Sequence, residues 1–206
     1  MGKYLKLGAV LLFALLSFAL HGQSLFNGND LGKWEVTNYG TQGNIYVEDG
    51  TIIFGVGDGL TGITYTDSVP NDNYEISLQA KKINGTDFFC GLTFPVKDNY
   101  ATLIVGGWGG ALVGISNIDG KDASENDYKV YRNFETGQWY RISVKVNNER
   151  IVASIDEEEL ISINFNDHQI DIRSDIVLST PLGIAAWNTK AAIQEINLTP
   201  LKQTKD

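Results

Sequence analysis

After its first two dozen residues, the chain shows no run of ten or more residues with a convincing 3.6-residue apolar period. Apolar residues instead alternate with polar ones over short stretches, and Gly, Asn and Asp punctuate them. A period of two is the mark of strands that bury one face. Extended runs are expected at 44–48, 51–54, 62–66, 74–83, 87–95, 100–106, 111–116, 140–146, 151–156, 160–165, 181–187 and 192–198. In the long run at 74–83, Tyr74, Ile76, Leu78 and Ala80 face one way and Glu75, Ser77, Gln79 and Lys81 the other. The pair Asp49-Gly50 is a two-residue hairpin signal, and Asn84-Gly85 reads as a second turn, into the strand that begins at Asp87. Many short strands without helices predict an all-β fold, a jelly-roll or lectin-like sandwich of two antiparallel sheets.

The N-terminus reads differently. Lys3 and Lys6 precede an apolar run from Leu7 to Leu20, broken only by Gly8 and Ser17. That run is too short for a transmembrane helix and suits a signal peptide. We expect residues 1–22 to be a leader and 23–206 a single domain, exported to the periplasm or the extracellular space. No Cys follows the apolar run, so a lipoprotein anchor is not expected, nor is a membrane span once the leader is gone.

Net charge is -9 for the whole chain; losing two lysines with the leader makes it -11. Phosphate binding needs clustered Lys and Arg, so an acidic chain without a basic run excludes nucleic acid as partner. Cys90 is the only cysteine, so no disulfide can form within the chain, and its place on an apolar strand face makes it a packing residue. Without the leader, His168 is the only histidine. A Cys/His zinc site lacks ligands.

The stretch 86–126 carries the candidate site. Besides its alternating apolar face, it offers Phe89, Gly91, Tyr100, Ile104 and Gly106 on the other face. Gly in a strand often marks close approach by a ligand or another backbone. Trp108, between two glycine pairs, is either a stacking platform or a plug on the core. Trp187 alternates against Leu182, Ile184 and Ala186 and is placed to reach the same site, whereas Trp34 and Trp139 are expected in the core. The segment 119–127 holds Asp119, Asp122 and Glu125, which either ligate a hard divalent cation such as calcium or form a turn bonded to its own backbone.

Ser24–Trp34 (SLFNGNDLGKW), the VEDGTI stretch at 47–52, Asn73–Ile76, Gly137–Arg141 (GQWYR) and 181–198 (PLGIAAWNTKAAIQEINL) together resemble, in order and spacing, the 3-keto-disaccharide hydrolase-like domain family. The resemblance spans the chain after the leader. It implies a concanavalin A-like sandwich, an exported bacterial protein and carbohydrate as ligand class, with relatives acting on 3-keto sugars. A 3-keto group acidifies the C2 proton, so a base, a donor to the ketone oxygen and an acid for the leaving oxygen suffice. With the strands at 74, 87 and 100 in one sheet, Glu75, Asp87 and Arg141 are the expected catalytic residues. Gln79, Lys81, Phe89, Tyr100, Trp108 and Trp187 are the expected substrate contacts. The competing expectation is a lectin-like, non-catalytic carbohydrate-binding domain, because this kind of sandwich serves both roles.

Overall fold

The computed structural model describes residues 22–202; the expected leader, apart from Gly22, lies outside them. The strands in chain order are β1 (Gln23–Ser24), β2 (Trp34–Val36), β3 (Ile45–Glu48), β4 (Thr51–Phe54), β5 (Leu60–Tyr65), β6 (Tyr74–Gly85), β7 (Cys90–Val96) and β8 (Asn99–Gly107). They continue with β9 (Leu112–Ser116), β10 (Lys129–Tyr131), β11 (Trp139–Asn147), β12 (Arg150–Ile155), β13 (Glu158–Asn164), β14 (Gly183–Trp187) and β15 (Thr189–Pro200). Single 3-10 turns occur at Phe165–Asp167 and Val177–Ser179. The strands form two antiparallel sheets. Sheet I has the order β13-β12-β11-β6-β15-β4-β3, with β1 paired to the end of β15; sheet II has the order β10-β9-β8-β7-β14-β5-β2. The expected two-sheet all-β sandwich is what the chain forms. Among the described residues, no helix is long and apolar enough to cross a membrane.

Alternation builds the core as the sequence dictates. From sheet I, Tyr74, Ile76, Leu78, Ile142, Val144, Ile193 and Ile196 point inward and are buried. Leu92, Phe94, Leu103, Val105, Val113 and Ile184 do the same from sheet II. Each large apolar side chain buried this way contributes about 1.5–3 kcal/mol. Trp34 lies in this core, its indole N–H donating to the Leu25 carbonyl at 2.9 Å. Cys90 is fully buried, and burial pushes its thiol up to about 12. The β3–β4 turn has both Asp49 (φ 48°) and Gly50 (φ 75°) in the left-handed region, the geometry that matches strand twist in a two-residue hairpin.

The passage from β6 to β7 is not a hairpin. β6 stays in sheet I through Gly85, paired with β15 and β11, whereas β7 pairs with β8 and β14 in sheet II. Residues 86–89 therefore carry the chain across the sandwich. The return from sheet II to sheet I, between β14 and β15, takes the single residue Asn188 (φ 45°). The two crossings are bonded side by side. The Trp187 N–H donates to the Phe88 carbonyl at 3.0 Å, and the Asp87 N–H donates to Thr189 Oγ1 at 3.2 Å. Gly85 (φ 125°) is required at this corner, since a Cβ there would sit 2.6 Å from Thr189 Oγ1 and 2.7 Å from its Cα.

Candidate functional site

The corner where the chain changes sheets is also where a pocket opens, on the outward face of sheet II. Its cavity is about 230 Å³. Alternation turns Thr102 and Ile104 of β8 outward to form the floor, next to Ser116 at the end of β9. Leu60 opens β5 and Trp187 closes β14 on one flank. Asp87 and Phe88 come from the crossing, Trp108 from the β8–β9 turn and Asp122 from the loop after β9; Arg173, Asp175 and Ile176 come from the segment between β13 and β14.

Glycines fit the aromatic walls to the sheet. The Phe88 ring covers Gly91, where a Cβ would lie 3.0 Å from the ring, and the Trp187 ring lies against Gly59. Trp108 (φ 47°) is 45% exposed, so it forms a rim and not a plug. Phe88, Leu60, Ile176, Trp187 and Tyr39 share one apolar cluster, in which burial raises the Tyr39 phenol and its hydroxyl bonds to Ser179.

Asp87 is the carboxyl that the sheet crossing contributes to the wall. Its Oδ1 accepts the Phe88 N–H at 2.7 Å. Burial raises its carboxyl above the ordinary value, outweighing the opposing N–H bonds from Phe88 and Trp108. A carboxyl whose charged form is disfavoured in a cleft is a candidate for proton transfer. Arg173, also in the lining, pairs side-on with Asp175 (Nε–Oδ1 3.1 Å, Nη2–Oδ2 3.0 Å) and donates from Nη1 to Asp122 Oδ2 at 3.2 Å. The paired carboxylates raise the Arg173 guanidinium further, Asp175 above all.

The expected site residues divide between two faces. Asp87, Trp108 and Trp187 line the pocket. Glu75, Gln79, Lys81 and Arg141 sit on β6 and β11 with side chains on the outward face of sheet I, across the sandwich from Asp87, and cannot join it. There Gln79 is bonded to Glu195 and Gln194, Glu75 faces Lys145, and Lys81 lies over the Trp139 ring at 4.5 Å. Trp139 is thus on this outer face and not in the core, because Tyr140, its neighbour, points inward. Phe89 is no ligand contact. It is fully buried, 5.1 Å from Phe134 and 6.0 Å from Tyr140 between ring centroids. Phe89 and Cys90 both point inward because the alternation changes phase where the crossing ends, and Phe88 takes the outward place. Tyr100 is on the outward face of sheet II, partly buried opposite Pro95, but outside the pocket.

The three residues proposed for a cation do not converge. Asp119 binds His168 Nδ1 at 2.7 Å and the Gln169 N–H at 2.8 Å. Asp122 accepts from the Ser124 N–H and hydroxyl as well as from Arg173. Glu125 accepts from the Asp122 N–H at 3.4 Å. Among the described residues, no three His, Cys, Asp or Glu side chains group as a metal requires. Arg173 and Asp175 were not picked out from the sequence. Their only signal is a charged Arg-Ser-Asp set among Ile170, Ile172 and Ile176, in a stretch with no clean period.

The sandwich of two antiparallel sheets is shared by similar solved structures. A carbohydrate-binding module, CBM66 from Bacillus subtilis, is 15% identical, with TM-score 0.55, covering 81% of this chain and 95% of that one. A putative glycosyl hydrolase from Parabacteroides distasonis is 18% identical, with TM-score 0.57 and 88% and 94% covered. A β-glucanase from Bacillus licheniformis is 11% identical, with TM-score 0.60 and 87% and 97% covered. At these identities the likeness is one of fold. No curated protein sequence matches the chain significantly. The family model described as the 3-keto-alpha-glucoside-1,2-lyase-like domain matches residues 21–199, and the chain belongs to that family.

Proposed function

We propose that the chain is an exported carbohydrate-active protein that cleaves 3-keto-glycosides by elimination, with Asp87 as general base. The observation that carries this reading is a partly buried carboxyl with a raised pKa at the wall of an aromatic-sided pocket. Membership of a family described by 3-keto-α-glucoside 1,2-lyase chemistry supports it. The aromatic faces of Phe88, Trp108 and Trp187 suit the apolar faces of a sugar ring.

In this mechanism Asp87 takes the proton from C2 of the keto sugar. The electron pair of that C–H bond forms the enolate, with its negative charge on the O3 oxygen. Collapse of the enolate forms the C1–C2 double bond and breaks C1–O, and the departing glycosidic oxygen is protonated by the Asp87 carboxyl or by water. Arg173 has donors left over from its carboxylate partners and lines the same pocket as Asp87, so it is the candidate to hold the enolate oxygen. Of the scheme expected from sequence Asp87 stays, Glu75 drops out, and Arg173 takes the place of Arg141.

Turnover of a 3-keto-glucoside by the wild type and by Asp87→Asn tests the reading. Loss of a general base costs roughly 10²–10⁴ in rate, and the variant keeps the side chain's shape. Undiminished turnover by Asp87→Asn would refute the assignment. The second reading, a non-catalytic binding domain, is favoured by the exposed Trp108 rim and the likeness in fold to a carbohydrate-binding module. It stands if the wild type binds sugars yet turns over no keto sugar.

A further inference from the structure

Arg173 is an unusual guanidinium for a binding site because its charge is already answered. A guanidinium has five N–H donors in a fixed fork. Asp175 occupies two side-on and Asp122 a third, leaving one donor on each terminal nitrogen. Asp122 is itself held in place by the Ser124 N–H at 2.8 Å and the Ser124 hydroxyl at 2.7 Å. Glu125 adds a further negative charge close enough to raise the Arg173 pKa. The pocket wall thus sets one cation against Asp87, Asp122 and Asp175. A free arginine would be the natural receptor for a sugar carboxylate, through a two-pronged bond. Here that fork is taken by Asp175.

Resting on the sugar-site reading above, we infer that Asp122 and Asp175 are specificity determinants: they mask Arg173, so the pocket admits neutral sugars and turns away sugars bearing a carboxylate, such as uronosides. The remaining Arg173 donors can still serve hydroxyls. Rejection comes from like charge and from occupation of the fork. Because the Arg173 and Asp175 side chains are each 43% exposed, salt weakens the charge part of the effect.

The test compares binding of methyl glucoside and methyl glucuronide by saturation-transfer NMR and calorimetry. Wild type, Asp175→Asn and Asp122→Asn are measured, each checked for native circular dichroism. Like-charge juxtaposition is costly, so the wild type should bind the glucuronide at least about tenfold more weakly than the glucoside. Asp175→Asn should bring the two to within about threefold by tightening the glucuronide, and 0.5 M salt should narrow the wild-type gap. Asp122→Asn, which leaves the side-on pair intact, should act in the same direction but less. Equal binding of both sugars by the wild type overturns the inference, as does a gap that neither variant changes. Failure of both methyl glycosides to bind overturns it too. Turnover of a 3-keto-glucoside would then decide separately whether the proposed function survives.

Discussion

Adjacent phenylalanines at the sheet crossing make opposite predictions when each is cut back to alanine. Phe89 is fully buried and packs edge-on to Phe134, which in turn packs edge-on to Tyr140 at 5.0 Å. Truncating a buried Phe to Ala typically costs about 3–5 kcal/mol, transfer and cavity terms together. Relaxation here is restricted, because Gly106 already lies against the ring, a Cβ there being only 3.0 Å from it. For a domain of this size each kcal/mol moves the melting temperature by about 2–4 °C, so Phe89→Ala should lower it by roughly 6–20 °C. Phe88 is partly exposed over Gly91, so Phe88→Ala should cost only about 1 kcal/mol. It removes one aromatic wall, worth about 0.5–1.5 kcal/mol, or roughly 2- to 12-fold in sugar affinity. Calorimetric melts and urea titrations of both variants, with ligand titrations on the folded proteins, separate the two roles. A Phe89→Ala variant within about 0.5 kcal/mol of wild type, or a Phe88→Ala variant that is the less stable of the two, would refute the phase change at the crossing.

Three further outcomes follow, two from Asp87 and one from the packing of β5 on β14. Because burial raises the Asp87 pKa above its usual 3.8, turnover that needs its carboxylate should fall on the acid side through a pKa above that value, which a pH–rate profile reads directly. The linkage has the matching sign. The stability contributed by protonated Asp87 is complete below its unfolded pKa and is lost as pH rises through the raised folded one, so Asp87→Asn should melt no lower than wild type at pH 7. Gly62→Ala should destabilise by about 1–3 kcal/mol, since its Cβ would meet the Ile184 carbonyl at 2.4 Å and the Ala185 Cα at 2.8 Å, both backbone of β14; an unchanged melting curve would show that β5 and β14 can part at that point.

Alternation in the sequence reveals which residues of a strand share a face, and it did so for β6, β11, β8 and β14. It carries no information about which of two sheets a strand joins. Asn84-Gly85 has the composition of a hairpin turn, yet Gly85 is there because Thr189 of the returning strand crowds it, a contact 104 residues away in sequence. Once that link is read as a hairpin, Glu75, Gln79, Lys81 and Arg141 are drawn to the face that bears Asp87, though they belong to the other side of the sandwich. The same crossing shifts the phase by one residue and exchanges Phe88 for Phe89. Alternation with apolar neighbours placed Trp187 within reach of the site, whereas the glycines flanking Trp108 left it between platform and plug, and only its exposure in the fold makes it a rim. Arg173 was not, since its place depends on pairing between segments. Asp119 N–H bonds to the Gln169 carbonyl and Asn117 N–H to that of Asp171, tying the loop that bears Asp122 to the loop that bears Arg173 and Asp175. The site is therefore made by two long-range closures, the sheet crossing at Thr86–Phe89 with Asn188 and the loop pairing at 117–119 with 169–171. Local pattern supplies the side chains for each, and only the folded chain brings the carboxyl of Asp87 and the masked arginine into the lining of one pocket.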